Sequence, residues 1–127
     1  MDVYKTHGAF SWSELMTSDP QAAGAFYGQL FGWTTQDMDM GTGPYHVVKV
    51  GDTSVGGIMG MPPGGDKMPP MWGCYVTVDA VDRTAARCVE LGGKVVMPPT
   101  DIPTVGRMAV LQDPQGAVIS VMTYAMP

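Results

Sequence analysis

The chain has 127 residues, 45% hydrophobic and 15% charged, so it fits a single compact domain rather than a disordered chain. Twelve acidic against seven basic residues give a net charge of -5, which argues against a nucleic-acid or anionic-membrane surface. The length also excludes a nucleotide-binding domain joined to a separate substrate domain.

The first half of the chain predicts a strand, a helix and three further strands. Alternation predicts the first strand over 10–17. Asp19 followed by Pro20 predicts a helix start, because Asp accepts an orphan N–H and Pro has none to lose. Gly32 supplies the left-handed position that ends the helix. Three more strands are predicted over 33–37, 45–50 and 54–59.

The second half predicts the same order of elements. A strand over 72–78 leads to a helix that we expect to begin at Asp79 or Asp82. A strand over 94–97 follows, and we expect the pair Pro98-Pro99 to end it. The last two strands are predicted over 107–112 and 117–123.

The two halves repeat with an offset of 60 residues, since Asp19 and Gly32 correspond to Asp79 and Gly92. Each half is β-α-β-β-β, so the sequence predicts an α+β fold of two tandem βαβββ modules in one domain. We place module one at about 8–60, a Pro/Gly-rich linker at about 61–70 and module two at about 71–126, within a single domain over 1–127.

The two cysteines, Cys74 and Cys88, form no metal-binding motif, so we expect reduced thiols. The first residues carry no basic segment followed by an apolar run, and no stretch approaches the ~18 apolar residues that span a bilayer. We therefore expect a cytoplasmic protein without a membrane or nucleic-acid partner.

Short sequences in a fixed order span nearly the whole chain: 12–17, 19–20, 25–27, 30–33, 55–57, 91–93, 99–103, 105–107 and 113–117. Together with the doubled module, they resemble the vicinal oxygen chelate superfamily of glyoxalase I, bleomycin-resistance proteins and extradiol dioxygenases. The later segments most resemble the branch of predicted enzymes related to lactoylglutathione lyase. The resemblance implies two curved sheets that face a shared cavity, a small-molecule ligand and a homodimer.

Metal-dependent members of that superfamily place four ligands on four strands. Carried over by local motif, those positions are Trp12, Gly57, Gly73 and Ser120. Trp and Gly side chains cannot ligate a metal, and a neutral Ser is a poor ligand. The resemblance thus implies a protein that lacks the usual metal site, and we expect no cofactor.

Glu14 is the leading candidate for chemistry, because it alternates in phase with Trp12 and Met16 on the face that the resemblance turns toward the cavity. A carboxylate in apolar surroundings has a raised pKa and can act as an acid or base. Alternatively, Glu14 pairs with a cation such as Arg107 or lies in water. His46 is the second catalytic candidate, with a structural or exposed position as its alternative.

Three aromatic residues, Trp12, Trp72 and Tyr75, are candidates for a ligand-binding wall, with ordinary core packing as the alternative. Met122 either lines an adaptable pocket or fills the core. Arg107 either steers an anionic ligand or pairs with a surface carboxylate.

Three functions remain open at this point. The first is a small-molecule binding protein of the glyoxalase and bleomycin-resistance type that lacks the usual metal ligands. The second is a metal-independent isomerase or lyase that uses Glu14 as acid or base. The third is a non-catalytic subunit that docks on a partner.

Overall fold

The computed structural model describes residues 1–39, 44–61 and 69–125. Its elements follow the order βαβββ twice, which confirms the predicted α+β fold of tandem βαβββ modules. Most of the predicted linker, residues 62–68, lies outside the described residues. The elements are β1 Phe10–Thr17, α1 Pro20–Phe31, β2 Thr34–Asp39, β3 Pro44–Val50, β4 Thr53–Gly60, β5 Met71–Thr77, α2 Val81–Glu90, β6 Lys94–Ile102, β7 Gly106–Gln112 and β8 Val118–Tyr124.

The chain divides into two compact units. The first unit is the continuous segment Trp12–Gly73, and the second unit joins Met1–Ser11 to Cys74–Pro127. Each unit contains one helix and the larger part of four strands. Each therefore corresponds closely to one of the two repeated modules.

The residues ahead of β1 pack within the second unit. The Gly8 amide donates to the Thr77 carbonyl at 2.8 Å, and the Thr77 amide donates to the Ala9 carbonyl at 2.9 Å. The Ser11 hydroxyl lies 2.8 Å from the Tyr124 hydroxyl. Both backbone groups of Thr77 thus pair with the N-terminal segment and fix it beside β5.

In the first unit the strands lie in the order β2-β3-β4-β1, with β1 parallel to β4 and the other pairs antiparallel. One face of this sheet carries the core residues Leu15, Val48 and Ile58, and residues of α1 pack against them. Successive side chains of a strand point to opposite faces. Glu14 and its register partner Gly57 therefore lie on the face away from α1.

The second unit repeats the arrangement in the order β5-β8-β7-β6, with β5 parallel to β8. Its α2 covers one face of the sheet, and the alternate residues of each strand point to the opposite face. The core of the α2 face consists of Val78, Val81, Ala85, Ala109, Leu111 and Val121.

The two helices start differently. The Asp19 carboxylate accepts the Ala22 amide at 3.0 Å, Pro20 opens α1, and Gly32 ends it with φ 78°, as the sequence predicted. The predicted Asp cap of α2 is wrong: Ala80 occupies the N-cap, and no side chain makes the capping bond. In the described part of the chain, neither helix is long and apolar enough to cross a membrane.

Strand β6 continues where the sequence predicted that it would end. It runs from Lys94 to Ile102 through Pro98 and Pro99. As the outermost strand of its sheet, β6 pairs on one side only, and its register with β7 shifts between Met97 and Thr100. Proline is tolerated at an edge and at such irregularities, because no ladder hydrogen bond is required of it there.

Candidate functional site

A hydrogen-bonded group lies on the face of the first unit's sheet that points away from α1. The indole N–H of Trp12 donates to the Tyr45 hydroxyl at 3.0 Å. The same hydroxyl donates to Oε2 of Glu14 at 2.6 Å. All three side chains are half-buried. We refer to Trp12, Glu14 and Tyr45 as the Tyr45 cluster.

A glycine makes this arrangement possible. Glu14 on β1 lies opposite Gly57 on β4, whereas Tyr45 on β3 lies opposite Met59, two residues further along β4. The Tyr45 side chain therefore runs diagonally across Gly57 to reach Glu14. A Cβ atom at residue 57 would overlap the Tyr45 hydroxyl. Only glycine leaves room for the phenol in this register.

Two of the residues at the implied metal-ligand positions, Trp12 and Gly57, do not fit a divalent ion. The Trp12 indole offers a donor rather than a lone pair, and it already donates to Tyr45. Gly57 offers no side-chain atom, and the Tyr45 hydroxyl fills the space beside it. Over the described ranges, no three His, Cys, Asp or Glu side chains are grouped so that they could hold a metal. Function without a metal stays a prediction.

His46 does not join the Tyr45 cluster. It is the neighbour of Tyr45 on β3 and lies opposite Ile58, so it points to the α1 face, away from Glu14. There Nδ1 pairs with the Asp37 carboxylate on β2, and only 17% of the His46 side chain is exposed. The structure therefore does not bring His46 and Glu14 together.

Trp72 is also separate from Trp12. Its indole N–H donates to the Tyr27 hydroxyl at 3.2 Å. Its ring is 5.4 Å from the Tyr27 ring and 6.0 Å from the Trp33 ring. The predicted wall of Trp12 with Trp72 is thus not formed, because Trp72 packs with aromatic residues of the α1 face.

Tyr75 and Met122 belong to the second unit, where both are buried, with 7% and 6% of their surfaces exposed. The Tyr75 hydroxyl approaches the Met108 sulfur at 3.8 Å, and Met108 lies opposite Met122 in the sheet. These three residues share the face of that sheet that does not carry the α2 core.

Arg107 binds two carboxylates in the second unit. Its Nε donates to Asp82 at 2.8 Å, and a terminal nitrogen donates to Asp101 at 2.9 Å. These hydrogen bonds, first to Asp82 and then to Asp101, raise the pKa of the guanidinium above its usual value. Of the two expected roles, the geometry matches pairing with surface carboxylates.

Tyr45 is the site residue that the sequence did not single out. A signal was present, because Gly56-Gly57 stands inside a predicted strand, and glycine there often marks a close approach by another group. The sequence did not reveal which residue approaches. That depends on the register between β3 and β4, which includes an irregularity at Val48/Lys49.

The cluster combines two kinds of chemistry on one small surface. The Trp12 ring offers an aromatic face, and aromatic faces bind flat apolar ligands. The Glu14 carboxylate and Tyr45 hydroxyl are in direct hydrogen-bond contact at 2.6 Å, a distance typical of a strong O–H···O⁻ bond. Such a pair can hold a ligand hydroxyl or amine, and it can also hold or move a proton.

Comparison with known proteins identifies relatives over nearly the whole chain. A family model described as Glyoxalase/Bleomycin resistance protein/Dioxygenase superfamily matches residues 9–121. The Mycobacterium tuberculosis protein named "Putative glyoxylase CFP32" is 47% identical over 119 residues, which cover 93% of this chain and 45% of that protein. The Streptomyces peucetius protein named "Anthracycline biosynthesis protein DnrV" is 36% identical, over 90% of this chain and 46% of that protein. The chain spans less than half the length of these relatives.

Solved structures share the fold. Methylmalonyl-CoA epimerase from Mycobacterium tuberculosis has a TM-score of 0.68 and 16% identity, and the match covers 94% of this chain and 89% of that chain. A Streptomyces coelicolor methylmalonyl-CoA epimerase variant in complex with 2-nitronate-propionyl-CoA has a TM-score of 0.69 and 18% identity, over 95% of this chain and 100% of that chain. At these identities the similarity concerns the fold alone.

Proposed function

The chain belongs to the glyoxalase/bleomycin resistance protein/dioxygenase superfamily, and we propose that it binds a small organic molecule at the Tyr45 cluster without a metal ion. One observation carries the proposal: the Tyr45 hydroxyl is held between the Trp12 indole and the Glu14 carboxylate. Trp12 stands at one position that the family resemblance assigns to a metal ligand, and the Tyr45 hydroxyl fills the space beside a second, Gly57. The site thereby offers an aromatic face and oxygen atoms in place of a cation.

We further propose that the ligand is a flat, hydroxylated aromatic compound. The Trp12 ring supports stacking, and the Glu14 and Tyr45 oxygens support hydrogen bonds to ligand hydroxyls. The net charge of -5 opposes strongly anionic ligands. The name of the 36% identical Streptomyces relative, which refers to anthracycline biosynthesis, agrees with this ligand class.

Thermal-shift measurements in EDTA, with hydroxylated anthraquinones as probes, test the proposal. We expect saturable stabilisation of the wild-type protein, since a ligand at about 100 times its Kd adds roughly 2.7 kcal/mol to stability. Glu14→Gln should weaken binding at least tenfold, because it replaces the charged hydrogen-bond acceptor. His46→Gln is the matched control on the opposite face and should leave the affinity unchanged.

Two results would reject this function. In one, binding appears only when a divalent metal is added. In the other, the Glu14 and His46 variants bind the probes equally well, which would locate the ligand elsewhere.

A second candidate, a metal-independent isomerase or lyase, is favoured by the 2.6 Å contact between Tyr45 and Glu14. In this reaction the Glu14 carboxylate takes a proton from an acidic C–H bond of the substrate, the electron pair moves to an adjacent carbonyl, and the proton returns to carbon. Positioned acid–base groups contribute typically ~10²–10⁴-fold in rate. In D₂O the enzyme should exchange deuterium for the C–H hydrogen next to the carbonyl of small carbonyl compounds, which NMR can follow. This exchange should be lost in Glu14→Gln. Exchange that survives in this variant would reject the mechanism.

The family resemblance also supports the proposal of a homodimer. Light scattering on purified protein measures the mass in solution, and a monomer at all concentrations would reject it. The remaining alternative is a non-catalytic subunit of a larger complex. Co-purification tests it, because a partner protein would stay bound to the chain through size-exclusion chromatography.

A further inference from the structure

The first unit carries a cavity on the face of its sheet opposite the Tyr45 cluster. Ser13 and Gly56 line it, and they are the strand neighbours of Glu14 and Gly57, so alternation turns them toward α1. The cavity has a volume of about 290 Å³. Its lining residues are Ser13, Trp33, Val48, Val55, Gly56 and Trp72.

The walls of this cavity are held in place by packing. Trp33 and Trp72 lie nearly perpendicular, with ring centroids 6.0 Å apart. The Tyr27 hydroxyl accepts the Trp72 indole N–H, and the Tyr27 ring is 5.7 Å from the Trp33 ring. Val48, only 1% exposed, forms the floor. The two indoles therefore do not need to be ordered when a ligand binds, which lowers the entropy cost of binding.

The cavity is apolar and partly open. Trp72 and Val55 remain 41% and 40% exposed, and none of the six lining residues is charged. Among the described lining residues, Ser13 carries the one hydroxyl group. Exposed aromatic surface of this kind often marks a binding site, because a ligand removes it from water.

The volume limits the size of the ligand. A cavity of about 150 Å³ holds one benzene ring, and this cavity is about 290 Å³. We therefore propose that the α1 face of the first unit is a second ligand site, for a neutral aromatic compound of about two fused rings. Its rings contact Trp33 and Trp72, and a hydroxyl substituent hydrogen-bonds to Ser13. This site is independent of the function proposed for the Tyr45 cluster.

Titration with 2-naphthol, followed by NMR of the three tryptophan indole N–H groups, tests the site. We expect saturable shifts of the Trp33 and Trp72 signals; an additional shift of the Trp12 signal would report separate binding at the Tyr45 cluster. Single Trp→Phe variants assign the three signals. If Trp12 shifts and the other two do not, the probe occupies the Tyr45 cluster and the inference is wrong; it is also wrong if no signal shifts.

Two matched valine variants supply the control. Val55→Phe places an extra ring in the cavity, whereas Val50→Phe makes the same change at an exposed position outside it. We expect Val55→Phe to weaken 2-naphthol binding at least tenfold and Val50→Phe to change it less than twofold. The dispersion of the amide spectrum checks that both variants are folded. Equal affinity of the two variants for 2-naphthol would overturn the proposal.

Discussion

Replacement of Gly57 by alanine tests the geometry of the Tyr45 cluster directly. The added Cβ would overlap the Tyr45 hydroxyl, so the phenol must leave its position. It would then lose its bonds to Trp12 and Glu14. A neutral hydrogen bond contributes about 1 kcal/mol and one to a charged group about 1.5–3 kcal/mol. The cluster is half-buried, so hydrogen bonds to water replace part of the lost hydrogen-bond energy. We therefore expect Gly57→Ala to lower the free energy of unfolding by about 2–3 kcal/mol.

Urea unfolding of a double-mutant cycle isolates the contact between residues 57 and 45. A Tyr45→Ala background removes the three atoms that would lie nearest to the added Cβ, all of them from the Tyr45 phenol. There Gly57→Ala should raise the free energy of unfolding by about 0.5–1 kcal/mol, because glycine inside a strand is unfavourable. The change of sign between backgrounds is the signature of the overlap.

Gly60→Ala is the control on the same strand. Among the described residues, a Cβ there meets only the Pro20 ring at 4.0 Å, an ordinary contact. We expect its effect on unfolding to be small and equal in both backgrounds. If Gly57→Ala costs the same with and without the Tyr45 ring, the diagonal contact does not exist in solution, and the account of the cluster fails.

Two other predictions concern local backbone chemistry and are measured by the urea midpoint. Asp19→Ala should destabilise the protein by ~1 kcal/mol, because it removes the side-chain cap of α1. Ala80→Ser should stabilise it by up to ~1 kcal/mol, because α2 has no such cap. Equal changes in stability from the same substitutions at positions that cap no helix would contradict this explanation. Thr104→Asn should stabilise by about 0.5–1 kcal/mol, because Thr104 has φ 66° and Asn tolerates the left-handed region better; an unchanged midpoint would show that Thr104 is not strained.

The sequence predicted those features that depend on a few neighbouring residues. Asp19, Pro20 and Gly32 define α1 by chemistry that acts within one turn, so both helix ends were predicted correctly. The end of β6 was not, because Pro98 is tolerated only on account of the position of β6 at the sheet edge. Strand order is a property of the whole sheet, and the local sequence does not encode it.

The candidate site divides in the same way. Alternation along β1 was enough to place Trp12 and Glu14 on one face. Their grouping with Tyr45 needs the register of β3 on β4, and the separation of Trp72 from Trp12 needs the packing of β5 residues against α1. Residue spacing along the chain therefore did not predict the contacts between side chains of different strands.

The division of the chain also predicts an order of folding. All contacts within the first unit join residues of one continuous segment, Trp12–Gly73, whereas the second unit needs Met1–Ser11 to meet Cys74–Pro127. Forming the second unit therefore closes a loop of roughly 60 residues, which has an entropy cost. Prior folding of the first unit shortens the flexible part of this loop and so lowers the entropy cost of closing it. Pulsed hydrogen exchange should show amides of β3 and β4 protected before those of Gly8 and Thr77; simultaneous protection would show that the two units fold as one.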